Sequence, residues 1–259
     1  MIDDRDICFA TTTLYTECLE IQQRLIGRLF PQSERILIDG RDVGEWPASM
    51  FRWIEKAKAG TSKWTIHIDE DCFVIDRQAI EEAIERMESE GTDLLGCPDG
   101  YHAPRPCNPI VINPFFMICR TDALRKLEHD FSKMSHRIEM KRGTYMWKNS
   151  EGISFKHSYR EGFRYVHEKN DMFSFEDGKE PYYPLFWHAI DIGLKLGYLY
   201  PHFDRELLST NPMSSKGDRE MAIHMWESRN MASDKKFYGK TAKERLAAIC
   251  GRLKKSALI

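Results

Sequence analysis

The chain has 259 residues, of which 42% are hydrophobic, enough to bury one large core or two small ones. Its 38 basic and 40 acidic residues nearly cancel, to a net charge of -2, so no strong field of either sign marks nucleic acid as a partner. Seven cysteines, odd in number and without a Cys-x-x-Cys pair, fit reduced thiols in a cytoplasmic protein better than a disulfide framework or a zinc site. The acidic start Met-Ile-Asp-Asp-Arg-Asp does not read as a signal peptide, and no window approaches the roughly 20 apolar residues that span a bilayer.

In chain order, Ile7–Thr13 reads as a short buried strand, followed by a helix over Tyr15–Phe30 that Pro31 helps to stop. Arg35–Asp39 is a second strand ending in the turn pair Asp39-Gly40, and a helix follows from Pro47 to Ala59. Lys63–Ile68 makes a third strand. Asp76 is placed to cap a helix over Arg77–Glu90, whose Ile80, Ala83, Ile84 and Met87 form an apolar stripe and which Gly91 ends. Asp93–Cys97 and Ile110–Cys119 are the next strands, the latter bent at Pro114, and Thr121 is expected to cap a short helix. A further helix is predicted from Pro181 to Leu196, ended by Gly197, before a strand at Tyr198–Tyr200. Such alternation predicts an α/β fold with a mostly parallel sheet covered on both faces.

The strongest chemical signal is Trp64-Thr65-Ile66-His67-Ile68-Asp69-Glu70-Asp71. Alternate side chains of an extended segment share a face, so Asp69 and Asp71 can converge while Glu70 points elsewhere. Two converging carboxylates repel unless a cation lies between them, and hard oxygen ligands suit Mg²⁺ or Mn²⁺. An acidic surface turn is the plainer alternative. In open sheets of this type ligands bind beyond the carboxyl ends of the strands. There the sequence places Thr11, Thr12 and Thr13 at the end of strand one, Asp39, Gly40 and Arg41 following strand two, and Asp69 and Asp71 at the end of strand three. Neither a Gly-x-Gly-x-x-Gly loop nor a Walker sequence is present, which speaks against dinucleotide dehydrogenases and P-loop enzymes.

These features resemble the nucleotide-diphospho-sugar glycosyltransferases of the GT-A fold, most of all the broad family 2 type. The resemblance rests on strand one with its threonines, Leu37-Ile38-Asp39-Gly40, Asp69-Glu70-Asp71, and Glu176-Asp177 followed by a helix and Gly197-Tyr198. It covers about residues 7–202. It implies a GT-A-like (Rossmann-like) domain over 1–202, with a nucleotide-binding half at 1–100 and an acceptor half at 101–202. A C-terminal loop and helical extension, 203–259, lies outside it. The implied activity is metal-dependent transfer of a sugar from a nucleotide-sugar donor, a UDP-sugar first among them, to a glycan or lipid-linked acceptor, as in polysaccharide biosynthesis. Carried over, Thr11, Thr13, Asp39, Arg41 and Asp69 become nucleotide-sugar contacts. Asp69, Asp71 and His202 become ligands of Mn²⁺ or Mg²⁺. Asp177 becomes the base that takes the acceptor proton, with Glu180 second, because Gly178–Pro181 lengthens the usual spacing. Trp187 and His188 are candidates to face the acceptor.

Two other readings stay open: a non-catalytic sugar- or nucleotide-binding protein on the same fold, and a metal-dependent phosphohydrolase. The second is disfavoured by Phe73 at the position where haloacid dehalogenase-type enzymes carry Thr or Val. The segment from Phe131 to Asp171, rich in basic and aromatic residues, is either an acceptor-recognising insertion or a variable surface. Ser209–Asp218 reads as a loop that could act as a lid. Lys243–Leu258 reads as an amphipathic helix, with Lys243, Arg245, Arg252, Lys254 and Lys255 opposite an apolar stripe. It either docks on its own domain or rests peripherally on an anionic membrane.

Overall fold

The computed structural model describes residues 2–42, 46–99, 111–127, 182–226 and 228–259. The first strand, β1 (Ile7–Thr13), is buried over Ile7–Thr11, as a central parallel strand must be. Next, α1 (Thr16–Leu29) turns Cys18, Gln22, Leu25 and Ile26 inward at helical spacing. Then come β2 (Glu34–Asp39), α2 (Trp46–Ala59), β3 (Trp64–Ile68) and the short β4 (Cys72–Val74). In α3 (Arg77–Glu90) the Asp76 side chain accepts from the Ala79 N–H, a cap worth about 1 kcal/mol. Gly91 ends that helix at φ 66°, a left-handed conformation that costs glycine nothing.

β5 (Leu94–Pro98), β6 (Ile112–Arg120), α4 (Thr121–Arg125), α5 (Tyr183–Asp191) and β7 (Leu196–Tyr198) complete the main sheet. Its order is β2-β1-β3-β6-β5-β7. β1 runs parallel to β2 and β3, and β5 to β7, while β6 is antiparallel to both of its neighbours. Five strands therefore point their carboxyl ends to one edge, and β6 begins there. Helices cover both faces: Trp53, Ile54, Leu124, Leu185 and Phe186 pack on one, and Ile26, Phe30, Ile80, Ile84 and Met87 on the other.

The rest of the chain builds a second, antiparallel sheet in the order β4-β10-β9-β8 from β8 (Pro201–Asp204), β9 (Ser209–Pro212) and β10 (Ala222–Met225). A hairpin of β11 (Lys236–Phe237) and β12 (Lys240–Thr241) leads into α6 (Ala242–Lys255), opened by a Thr241–Glu244 capping box. Leu246, Ile249 and Leu253 of α6 pack with Phe73, Ile223 and Met225 of the second sheet and with Cys18 and Leu25 of α1. The apolar stripe predicted for this helix is thus spent on the protein's own core.

Several sequence expectations are corrected. The helix predicted to reach Leu196 stops at Asp191, because Gly193 takes φ 81° and the Leu194 N–H returns to the Ala189 carbonyl; Gly197 lies inside β7. Thr121 does not cap α4, since its hydroxyl bonds the Thr65 hydroxyl at 2.9 Å. The segment read as a lid begins as strand β9, with Ser209, Thr210 and Asn211 fully buried. Arg245 is not a solvated cation: it is buried and donates to the Trp226 carbonyl, while the partly exposed Arg252 bridges Asp204 and Glu220. No helix among the described residues is long and apolar enough to cross a membrane.

Candidate functional site

β3 ends at the sheet's carboxyl edge, and the chain turns at once through Asp69-Glu70-Asp71-Cys72, closed by the Cys72 N–H on the Asp69 carbonyl at 2.9 Å. The Asp69 N–H donates to the Phe115 carbonyl at 3.0 Å, which fixes the turn against β6. β4 then pairs with β10 so that Cys72 faces His224, and the Met225 N–H donates to the Asp71 carbonyl at 2.9 Å. This register delivers His224 to the two aspartates. Asp69, Asp71 and His224 each present a donor atom, all within 4.8 Å of one another, with His224 Nε2 3.4 Å from Asp71 Oδ1. The imidazole lies flat against Phe115, centroids 4.2 Å apart and planes at 6°, and the Trp226 ring tilts against it at 5.2 Å and 49°.

Glu70 behaves differently from its neighbours. It reaches back to the bend between β1 and α1, where its Oε2 accepts from the Thr13 hydroxyl at 2.7 Å and from the N–H groups of Leu14 and Tyr15 at 2.5 and 2.8 Å. Burial raises its carboxyl above the ordinary range, and those three hydrogen bonds hold it back. Burial and the Asp71 carboxylate push Asp69 up from 3.8 to about 7, with His224 opposing.

The donor set fits a divalent cation. An ion with bonds of about 2.1 Å spans about 4.2 Å between opposite ligands, close to the observed spread. His224 Nδ1 is buried with no hydrogen-bond partner among the described residues, and its Nε2 faces Asp71. Two carboxylates and an imidazole suit Mn²⁺ better than Mg²⁺, because nitrogen ligands favour the transition ion. The thiols of Cys72 and Cys97 are pushed up by burial, so neither is a nucleophile at neutral pH.

The structure sorts the sequence-derived candidates. Asp69 and Asp71 converge. His202 does not join them: Phe203, Thr210 and His224 share one row of the second sheet, while His202 pairs with Asn211 one position along. Its side chain therefore leaves by the opposite face and is exposed. Thr11 is fully buried, its hydroxyl on Gln22 Oε1 at 3.0 Å, and is withdrawn from any ligand at the edge. Thr13 is at the edge but engaged by Glu70. Asp39 and Arg41 form a bidentate pair after β2, at 2.8 and 2.5 Å, and Arg41 holds the Asp39 carboxyl down to about 2. Trp187 and His188 lie on α5, which leads into β7 at the far side of the sheet from β2. Asp177 and Glu180, with the basic and aromatic segment 131–171, lie outside the described residues.

Sequence reasoning missed His224, Gln22 and Asp99, which accepts from the Asn113 side-chain amide at 2.8 Å beside β5 and β6 at the same edge. His224 sits in Ala-Ile-His-Met, which carries no motif. Gln22 did carry a signal, a polar residue on the apolar face of α1.

No protein-family model matches the chain, and no curated protein matches it in sequence. Among solved structures it is similar to A197 from STIV, at 11% identity and a TM-score of 0.42, over 85% of this chain and 94% of that one. It is also similar to the mannosyltransferase PcManGT from Pyrobaculum calidifontis, solved with GDP-Man and Mn²⁺, at 11% identity and a TM-score of 0.35, over 48% of this chain and 47% of that one. A third is a glycosyltransferase involved in glycosylation of the major capsid of PBCV-1, at 16% identity and a TM-score of 0.32, over 46% of this chain and 61% of that one. The chain thus spans less than two thirds of the latter two.

Proposed function

We propose that this protein is a metal-dependent glycosyltransferase that moves a sugar from a nucleotide-diphospho-sugar to a glycan or glycolipid hydroxyl. One observation carries the reading: Asp69, Asp71 and His224 meet at the carboxyl edge of a mostly parallel sheet, where such sheets bind ligands. Mn²⁺ held there supplies positive charge against the departing diphosphate. The chain's own residues do the rest. Asp39 and Arg41, exposed after β2, and Thr13 at the β1–α1 bend flank the metal turn and bind the nucleotide. Asp177, with Glu180 second, takes the acceptor proton, and Trp187 and His188 bind the acceptor.

A thermal-shift panel of UDP-, GDP-, CMP- and dTDP-sugars, each with Mn²⁺, Mg²⁺ or EDTA, tests this. A ligand that binds only the folded state raises its stability by mass action. One donor should stabilise only with metal, lose that effect in Asp71→Ala, and be hydrolysed or transferred slowly. Metal-dependent nucleotide binding without any turnover would instead favour a binding protein on the same fold. No response to any nucleotide would refute the donor site.

A further inference from the structure

Gln22 is a fully buried amide on a helix face otherwise made of Cys18, Leu25 and Ile26. Such a group is costly unless its polar atoms are paired. One N–H of its Nε2 goes to the Asp69 carbonyl at 2.6 Å and the other to the Cys72 carbonyl at 3.1 Å. Its Oε1 accepts from the Thr11 hydroxyl at 3.0 Å and from Gln23 Nε2 at 3.3 Å. The two carbonyls it grips are the first and last of the turn that displays Asp69 and Asp71.

That turn has a single internal backbone bond, the Cys72 N–H on the Asp69 carbonyl, and carries two carboxylates that repel each other. Backbone bonds from the Asp69 N–H to Phe115 and from the Met225 N–H to Asp71 anchor it from outside. The amide staples it from the inside, and Glu70 ties its other side to the β1–α1 bend. We propose that Gln22, held in place by Thr11, is a positioning residue of the metal site: it fixes the spacing of the Asp69 and Asp71 carboxylates before the cation arrives. The inference rests on reading this site as metal-binding. Groups that orient ligands from behind typically govern metal affinity ten- to a hundred-fold, roughly.

The test is a Mn²⁺ titration of the full chain, following the resonance signal of the free ion, at a temperature well below the melting point of every variant. Gln22→Met should bind Mn²⁺ about ten-fold more weakly or worse, and Thr11→Val, which leaves the amide unanchored, about three-fold more weakly. Thr11→Ser, which keeps the hydroxyl, should bind like the wild type. A purely structural glutamine would lower the melting temperature of Gln22→Met without moving the affinity of the folded protein, and that result overturns the proposal. Should Gln22→Met not fold, the Thr11 pair decides: equal affinities in Thr11→Val and Thr11→Ser overturn it equally. A wild type that binds no more Mn²⁺ than Asp71→Asn refutes the metal reading itself, and the positioning role with it.

Discussion

Replacing His224 by phenylalanine separates ligation from packing. The imidazole is 6% exposed, stacked flat on Phe115 with Trp226 tilted against it, so a benzene ring of similar shape keeps the stack while removing both nitrogens. Folding stability without metal should fall by no more than about 1 kcal/mol. Metal binding should fall much further, because one of three protein donors is gone. A hundred-fold loss, about 2.7 kcal/mol, is the expected order, at the upper end of what even indirect ligand partners control. At a Mn²⁺ concentration of about 100 times the wild-type Kd, the ion stabilises the wild type by about 2.7 kcal/mol but the variant by only about 0.4 kcal/mol. For a chain of this size that separates a rise in Tm of about 5–10 °C from one of about 1 °C. Differential scanning fluorimetry at matched Mn²⁺ reads the difference directly. A variant that keeps a wild-type increment would refute His224 as a ligand and return the site to two carboxylates alone.

Four further outcomes follow from the structure. Asp69, raised to about 7 from 3.8, binds more protons folded than unfolded between those values, so the metal-free protein should lose stability as pH rises through that window. The Mn²⁺-induced rise in Tm should grow over the same window and level off above about 7; an increment independent of pH from about 5 to 8 would contradict it. Glu70→Ala leaves the Thr13 hydroxyl and the Leu14 and Tyr15 N–H groups without their acceptor, and should cost about 2–3 kcal/mol in urea melts; a loss below about 0.5 kcal/mol would show the bend holds itself. In α6, Ile249→Asp puts a charge into the core and should unfold the protein or cost at least about 3 kcal/mol. Reversal of the exposed Lys254 and Lys255 to Glu at the end of α6 should cost no more than about 1–2 kcal/mol, and only a loss of binding to anionic liposomes in that variant would support a membrane contact.

The sequence by itself determined the elements whose signal is local. β1, α3 with its Asp76 cap and Gly91 end, and β3 running into Asp69-Glu70-Asp71 all lie where periodicity, caps and turn residues place them. Each of these is set by contacts a few residues apart. The mostly parallel sheet followed from their alternation, and with it the edge where the aspartates lie. Tertiary structure decided the rest. β4, β8, β9 and β10 are three or four residues each, and β9 reads Ser-Thr-Asn-Pro, so no period marks them as strands. Their pairing is a long-range event that buries polar residues only because neighbouring strands and α6 cover them. It is this register that brings His224, rather than His202, to the two aspartates, since a one-residue offset sends a strand side chain to the other face. The same distance hides Gln22, 47 residues from the carbonyl of Asp69 that it holds.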